Sequence, residues 1–234
     1  MAELRDLLKL TRLIKDEKLR SKVREFIKNP SPSKLKLPEE YTPLKIAPGS
    51  KRRHHSYPKG LVEHTIACTT LALALCDVVE KVYKCDVDRD VVVSAVILHD
   101  IMKYLTYRVN AQGLYTISEL GEKLDHLSLL ISELYLRNFP LPVIHAVAAH
   151  HGDAGPVLPR TIEALIVHLA DFADSMLNGK ILDAAKAILR ECLQLEAPLI
   201  DGSTAFKVVR AKQLGGCDAV KKLVKELKLE ASGE

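Results

Sequence analysis

An eight-residue apolar run, Val91 to Leu98, ends on His99-Asp100-Ile101-Met102-Lys103. No other stretch restricts the fold of this chain so strongly. Adjacent residues on a helix point about 100° apart, so one partner cannot serve both polar side chains. A buried imidazole beside a buried carboxylate is costly unless each finds a partner. The fold therefore has to bring other polar groups to this place, and a metal centre is one arrangement that does so.

The remaining histidines supply candidates. All nine lie between His54 and His168, with none in the first 53 or last 66 residues. His64, His99, Asp100, His126, His150, His151 and Asp171 each fall in a predicted helix or at its end, embedded in apolar sequence. A helical bundle makes such apolar faces converge, and metal sites inside bundles are built this way. Histidine with aspartate suits Mn, Fe, Co, Ni or Zn. No cysteine shares the pattern, which argues against thiolate ligands. Seven candidates exceed the needs of one ion. Two ions sharing a bridging carboxylate use them economically, and two-metal sites serve phosphoryl displacement. Asp100 is the natural bridge. His168, three residues before Asp171, reads as a supporting or core residue, His145 as structural, and Asp174 as a group that orients a ligand or faces solvent.

Periodicity places these residues on helices. One amphipathic helix is expected over 3–28, stopped by Asn29-Pro30. A Pro-rich connection over 30–58 ends in Lys51-Arg52-Arg53-His54-His55. A long apolar helix follows from Leu61 to about Lys84. Asp88 caps the next, which runs to about Tyr104. A hairpin is expected at 107–117 around Asn110-Ala111-Gln112-Gly113. Further helices are expected over 119–138, from Pro140 to about His151, from the Thr161 cap to Leu177 with Asn178-Gly179 closing it, over 181–195, and over 217–229. The expected class is all-α. Three parts are expected: 1–57, a core of 58–180, and a C-terminal extension of 181–234.

Composition adds limits. Residues 1–60 carry 16 basic against 7 acidic side chains and the rest 18 against 23, which points to a phosphate or polyanionic partner at the front of the chain. No apolar run is expected to span a membrane, and Met1-Ala2-Glu3-Leu4-Arg5-Asp6 does not read as a signal peptide. The five cysteines lack CxxC spacing and read as reduced thiols of a cytoplasmic protein. The sequence leaves the oligomeric state open.

At His64, His99-Asp100 and Asp171 the chain resembles the HD-domain metal-dependent phosphohydrolases, and His126 and His150-His151 match the extra histidines of members with a second metal. The resemblance implies an all-α HD-domain bundle, here with a small β-hairpin insertion. It implies a first ion held by His64, His99, Asp100 and Asp171. A second would be held by Asp100, His126 and His150, with His151 a ligand or supporting residue. His99-Asp100-Ile101-Met102-Lys103 matches the HDxxK form, in which the lysine faces the substrate phosphate. Lys103 and Asp100 are therefore the expected catalytic pair, and Lys103, Arg53, His54 and His55 the expected substrate-binding groups. The segment around 51–64, the hairpin, and Ala149-His150-His151-Gly152 also look like the HD domain of bacterial 3′→5′ exoribonucleases, though without their OB-type domain. The implied function is metal-dependent hydrolysis of a phosphomonoester or phosphodiester, in a nucleotide or short nucleic acid. A metal- or nucleotide-binding sensor, a di-iron oxygenase on the same fold, and nucleic-acid binding without chemistry are the other readings.

Overall fold

The computed structural model describes residues 3–37, 39–196 and 199–227. The chain forms α1 (Leu4–Leu10), α2 (Glu17–Lys28), α3 (Gly60–Lys81), α4 (Arg89–Leu98) and α5 (Lys103–Thr106). Strands β1 (Tyr107–Val109) and β2 (Tyr115–Ile117) follow, then α6 (Glu119–Lys123), α7 (His126–Leu136), α8 (Leu141–Ala148), α9 (Ile162–Leu193) and α10 (Gly202–Leu227). The fold is all-α apart from the antiparallel hairpin, whose register pairs Tyr107 with Ile117 and Val109 with Tyr115.

The main core lies among α1–α4 and α7–α9. The run Val91–Leu98 is buried on every side of α4, which is why it reads as apolar without a period. A second cluster, formed by Tyr57, Leu182, Leu189, Val208 and Val220 among others, holds α10 against the end of α9. Of the described helices one, Gly60–Lys81, is long and apolar enough by length and composition to cross a membrane. This corrects the expectation that no stretch would qualify. It packs here against α4 and α9.

Several expected elements break where side chains capture backbone. The single helix over 3–28 is instead α1, a 3-10 turn and α2. The break comes at Ile14-Lys15-Asp16, where Asp90 accepts the N–H of Lys15 (2.8 Å) and of Asp16 (2.7 Å) while Asp16 caps Leu19 at 2.7 Å. The helix over 119–138 divides because Asp125 caps α7 through the Ser128 N–H at 2.7 Å. Asn178-Gly179 does not end a helix. The Asn178 side chain accepts the N–H of His55 at 2.6 Å and donates to Tyr57 at 3.2 Å, and α9 runs on to Leu193. The tail helix begins at Gly202, not Cys217, and is interrupted at Gly215-Gly216, with Gly216 at φ +61°. Its expected extension to Leu229, like Met1, Ala2 and Pro38, lies outside the described residues. The cysteines are not all reduced: Cys192 and Cys217 form a disulfide, while Cys68, Cys76 and Cys85 are free.

The Pro-rich connection is fixed to the body by one buried carboxylate. Glu133 on α7 is 3 % exposed. It accepts from the Ser33 N–H and hydroxyl, both at 2.6 Å, and from Arg137 at 3.0 Å. Arg137 donates on to the carbonyls of Asn29 and Ser31 and stacks on Phe26. Glu133→Ala leaves these donors without an acceptor, so urea unfolding should show a loss of about 3 kcal/mol.

Candidate metal centre

Two helix ends set the centre. α4 stops at Leu98, and His99, the next residue, donates Nδ1–H to the Val96 carbonyl at 2.7 Å. α8 stops at Ala148, and His150 donates Nδ1–H to the Val147 carbonyl at 2.7 Å. Helix ends leave carbonyls without partners, and these two imidazoles take them up. His64 on α3 completes the pattern, with Nδ1 on Asp174 at 2.7 Å. In all three rings Nδ1 is used, so Nε2 points inward, where it can give a lone pair to a cation that displaces any proton on it. Metal-bound histidines are typically held this way.

The inward atoms converge on Asp100, which is 1 % exposed. Its Oδ2 lies 3.4 Å from Nε2 of His64 and 3.4 Å from Nε2 of His99. Asp171 Oδ1 on α9 lies 3.1 Å from His64 Nε2 and 3.8 Å from His99 Nε2, and those two nitrogens are 3.2 Å apart. Asp100 Oδ1 faces the other way, 3.2 Å from His126 Nε2 and 3.7 Å from His150 Nε2. Asp100 Oδ1, His126 Nε2 and His150 Nε2 are all buried without a hydrogen-bond partner. Buried polar atoms in that state are costly, and a cation among them removes the cost. The donor atoms of His126, His150 and His151 lie within 4.8 Å of one another, as do those of His64, Cys68, His99 and Asp171. The residues fit two divalent ions.

The electrostatics agree. Burial works against the charge on Asp100, but the Lys103 ammonium and the imidazoles outweigh it and hold the carboxyl well below its usual range. Asp171 is likewise pushed below its usual range, burial being overcome by His64 and His99. Burial also opposes a charge on His64, yet Cys68 and the carboxylates of Asp100, Asp171 and Asp174 raise it well above the ordinary value. A place that holds a proton among three carboxylates will hold a cation. His150 is held well below the ordinary value by burial and by His99.

Other candidates take up different places. Lys103 does not share a helix face with His99, because α4 has ended. A four-residue turn separates them, and Nζ, buried, donates to Asp100 Oδ2 at 2.5 Å. Arg53 and His54 line a cleft of about 740 Å³ together with Lys103, His126, His151 and Asp171. Both histidines of the basic segment are largely withdrawn from solvent, and burial with His64 nearby lowers His54 to about 3. His55 lies behind the cleft, 3.6 Å from Asp174. Gly60 makes this fit possible, since a Cβ there would sit 2.1 Å from the His55 carbonyl. His168 supports the centre through the His150 carbonyl at 2.8 Å, and His145 accepts from the Arg160 N–H at 3.1 Å. Gly152, at φ +57°, leaves room for the His168 ring.

Sequence reasoning missed Cys68. It sits one helical turn after His64, a spacing visible in the sequence, with Sγ 3.5 Å from His64 Nδ1. Burial raises its thiol to about 11.

The HD domain family model matches residues 61–176, and a relative aligns over nearly the whole chain. This is the dihydroneopterin 2′,3′-cyclic phosphate phosphodiesterase of Methanocaldococcus jannaschii, 41% identical over 210 residues, covering 90% of this chain and 84% of that protein. The chain belongs to the HD-domain family. The YhaM 3′-5′ exoribonucleases of Oceanobacillus iheyensis and Bacillus subtilis are each 30% identical, over 191 and 142 residues. Those matches cover 75% and 56% of this chain but only 55% and 43% of the exoribonucleases, so the HD-domain chain spans about half their length. No solved structure gives a significant match. Fold, His-Asp cluster and relatives agree on a metal-dependent phosphohydrolase.

Two outcomes follow. Asp174→Ala removes the acceptor that fixes the His64 ring, and chelator competition should show metal bound roughly 10- to 100-fold more weakly. Metal-free enzyme should also lose Tm as pH falls from 7 to 5. The unfolded state protonates His54 and His150 below about 6.5, while the folded state keeps them neutral, His54 down to about 3. His64 works the other way, but alone. A thermal melt series that stays flat or rises toward pH 5 contradicts this assignment.

Proposed function

We propose that this enzyme opens a cyclic phosphodiester carried by a small heterocyclic alcohol, of the pterin or nucleoside 2′,3′-cyclic phosphate type, giving a phosphomonoester. The similarity to the dihydroneopterin 2′,3′-cyclic phosphate phosphodiesterase over 90% of the chain supports this reading above the others. The exoribonucleases align over half their length, and the cleft of about 740 Å³ suits a small ligand. Residues 58–180 work as the HD domain, with the basic wall coming from 1–57 and, within the extension 181–234, α10 packed against the end of α9. We place the reaction in the cytoplasm, with its nucleotide-like substrates.

His64, His99, Asp100 and Asp171 would hold one divalent transition ion, and Asp100, His126 and His150, with His151 beside them, a second. When bound, such ions lower the pKa of water and offset charge on a phosphoryl group. The chain's own residues do the rest. Water adds to phosphorus, one P–O ester bond of the ring breaks, and a proton reaches the departing alkoxide. Lys103, held between Asp100 and the cleft, presents its ammonium to a non-bridging phosphate oxygen. Arg53, which lines the same cleft, meets the phosphate as well. His54, neutral at working pH, hydrogen-bonds without adding charge. Asp174 and the Val96 and Val147 carbonyls keep the imidazoles turned inward.

The test is a substrate panel with Mn, Fe, Co, Ni or Zn. It contains dihydroneopterin 2′,3′-cyclic phosphate, 2′,3′-cyclic nucleotides and a short RNA. Cyclic phosphates should turn over and the RNA should not. Asp100→Asn should lose at least about 10³-fold in kcat, and Lys103→Ala should lose roughly 10- to 100-fold in kcat/KM. Stepwise shortening of RNA with the cyclic phosphates left intact overturns the proposal.

A further inference from the structure

α9 carries a second surface that the chemistry does not use. Its solvent side reads Ile162, Leu165, Leu169, Phe172, Met176 and Leu177, each 40–55 % exposed, with Ala173 between them. From Ile162 to Leu177 the exposed positions of this helix hold no charged residue. An exposed helix face normally carries polar side chains. Open apolar side chains in this row amount to on the order of 500 Å², near the top of the range for a monomer. Charges resume only at the ends, with exposed Arg160 before the row and Lys180 and Asp183 after it.

We infer that this face is the contact between two copies of the chain, paired antiparallel through α9 about a two-fold axis near Leu169. The spacing is the argument. Steps of three, four, three and four residues place Ile162 and Met176 seven residues on either side of Leu169, and Leu165 and Phe172 four and three residues away. An antiparallel copy therefore sets Leu169 against Leu169 and Ile162 against Met176, the self-complementary arrangement a two-fold contact requires. Alternating three and four is also the spacing of ridges that pack at a shallow angle. Two such faces together cover about 1,000 Å², the lower bound for a stable interface. Phe172 and Met176 also line the active-site cleft, so the second copy would sit at its mouth. This pairing does not depend on which phosphodiester is hydrolysed.

Light scattering after gel filtration at micromolar concentration, on the full-length, metal-loaded protein, should give the mass of a dimer. The Leu165→Glu/Leu169→Glu double variant should give a monomer with unchanged metal content and a cooperative melt. Independently, Leu169→Cys should cross-link to a reducible dimer on mild oxidation, as the position sits on the axis. A monomeric wild-type protein, a double variant that remains dimeric, or a dimer in which Leu169→Cys does not cross-link each overturns the inference. Sedimentation of a monomer with phosphatidylcholine vesicles overturns it in favour of a lipid surface.

Discussion

The structure depends on placing one carboxylate, Asp100, in the interior among imidazoles. Burying a charge is expensive unless it is paired, and the local architecture is arranged around that demand. α4 and α8 end where a carbonyl of the last turn accepts a hydrogen bond from a histidine just beyond. α7 begins where Asp125 caps it, which sets His126 in its first turn facing Asp100. Each helix terminus, ordinarily a weak point with orphaned backbone groups, serves here to aim a ring.

α9 couples the centre to the rest of the chain. Asp171, Asp174 and Asn178 follow one another at three- and four-residue steps and so share a face. The first faces the imidazoles of His64 and His99, the second holds the His64 ring, and the third accepts the backbone of His55. The basic segment is thus positioned by the same helix face that builds the centre, and a shift of α9 would be felt at both the His-Asp cluster and the basic segment. Its opposite face is where the apolar row lies.

The fold class, the hairpin, the caps Asp88 and Thr161, and the His and Asp side chains that meet at one place were legible in the sequence, because periodicity and residue type carry them. What was not legible came from distant partners. Asp90 breaks the first helix by capturing Lys15 and Asp16, 75 and 74 residues away in sequence. Asn178 looks like a helix stop until His55 and Tyr57 occupy its side chain. Cys192 and Cys217 meet because α10 folds back along α9, which spacing alone does not reveal. Lys103 donates to Asp100 across a turn, a contact that the HDxxK spacing does not reveal.

Charge accounting explains why the centre joins so many carboxylates to so few cations. Asp100, Asp171 and Asp174 stand against the one ammonium of Lys103, and burial with neighbouring histidines keeps His54 and His150 neutral. With the proton that His64 holds, the chain alone leaves a net charge of about one negative, and about two negative once that proton gives way to an ion. Two divalent ions would bring it to about two positive, enough to attract a phosphodiester monoanion and to favour the extra negative charge that develops as water adds to phosphorus. A site already neutralised by more lysines would gain less from the ions and would repel them. The single buried lysine, tied to the bridging carboxylate, keeps the balance on the side where metal binding and phosphate binding reinforce each other.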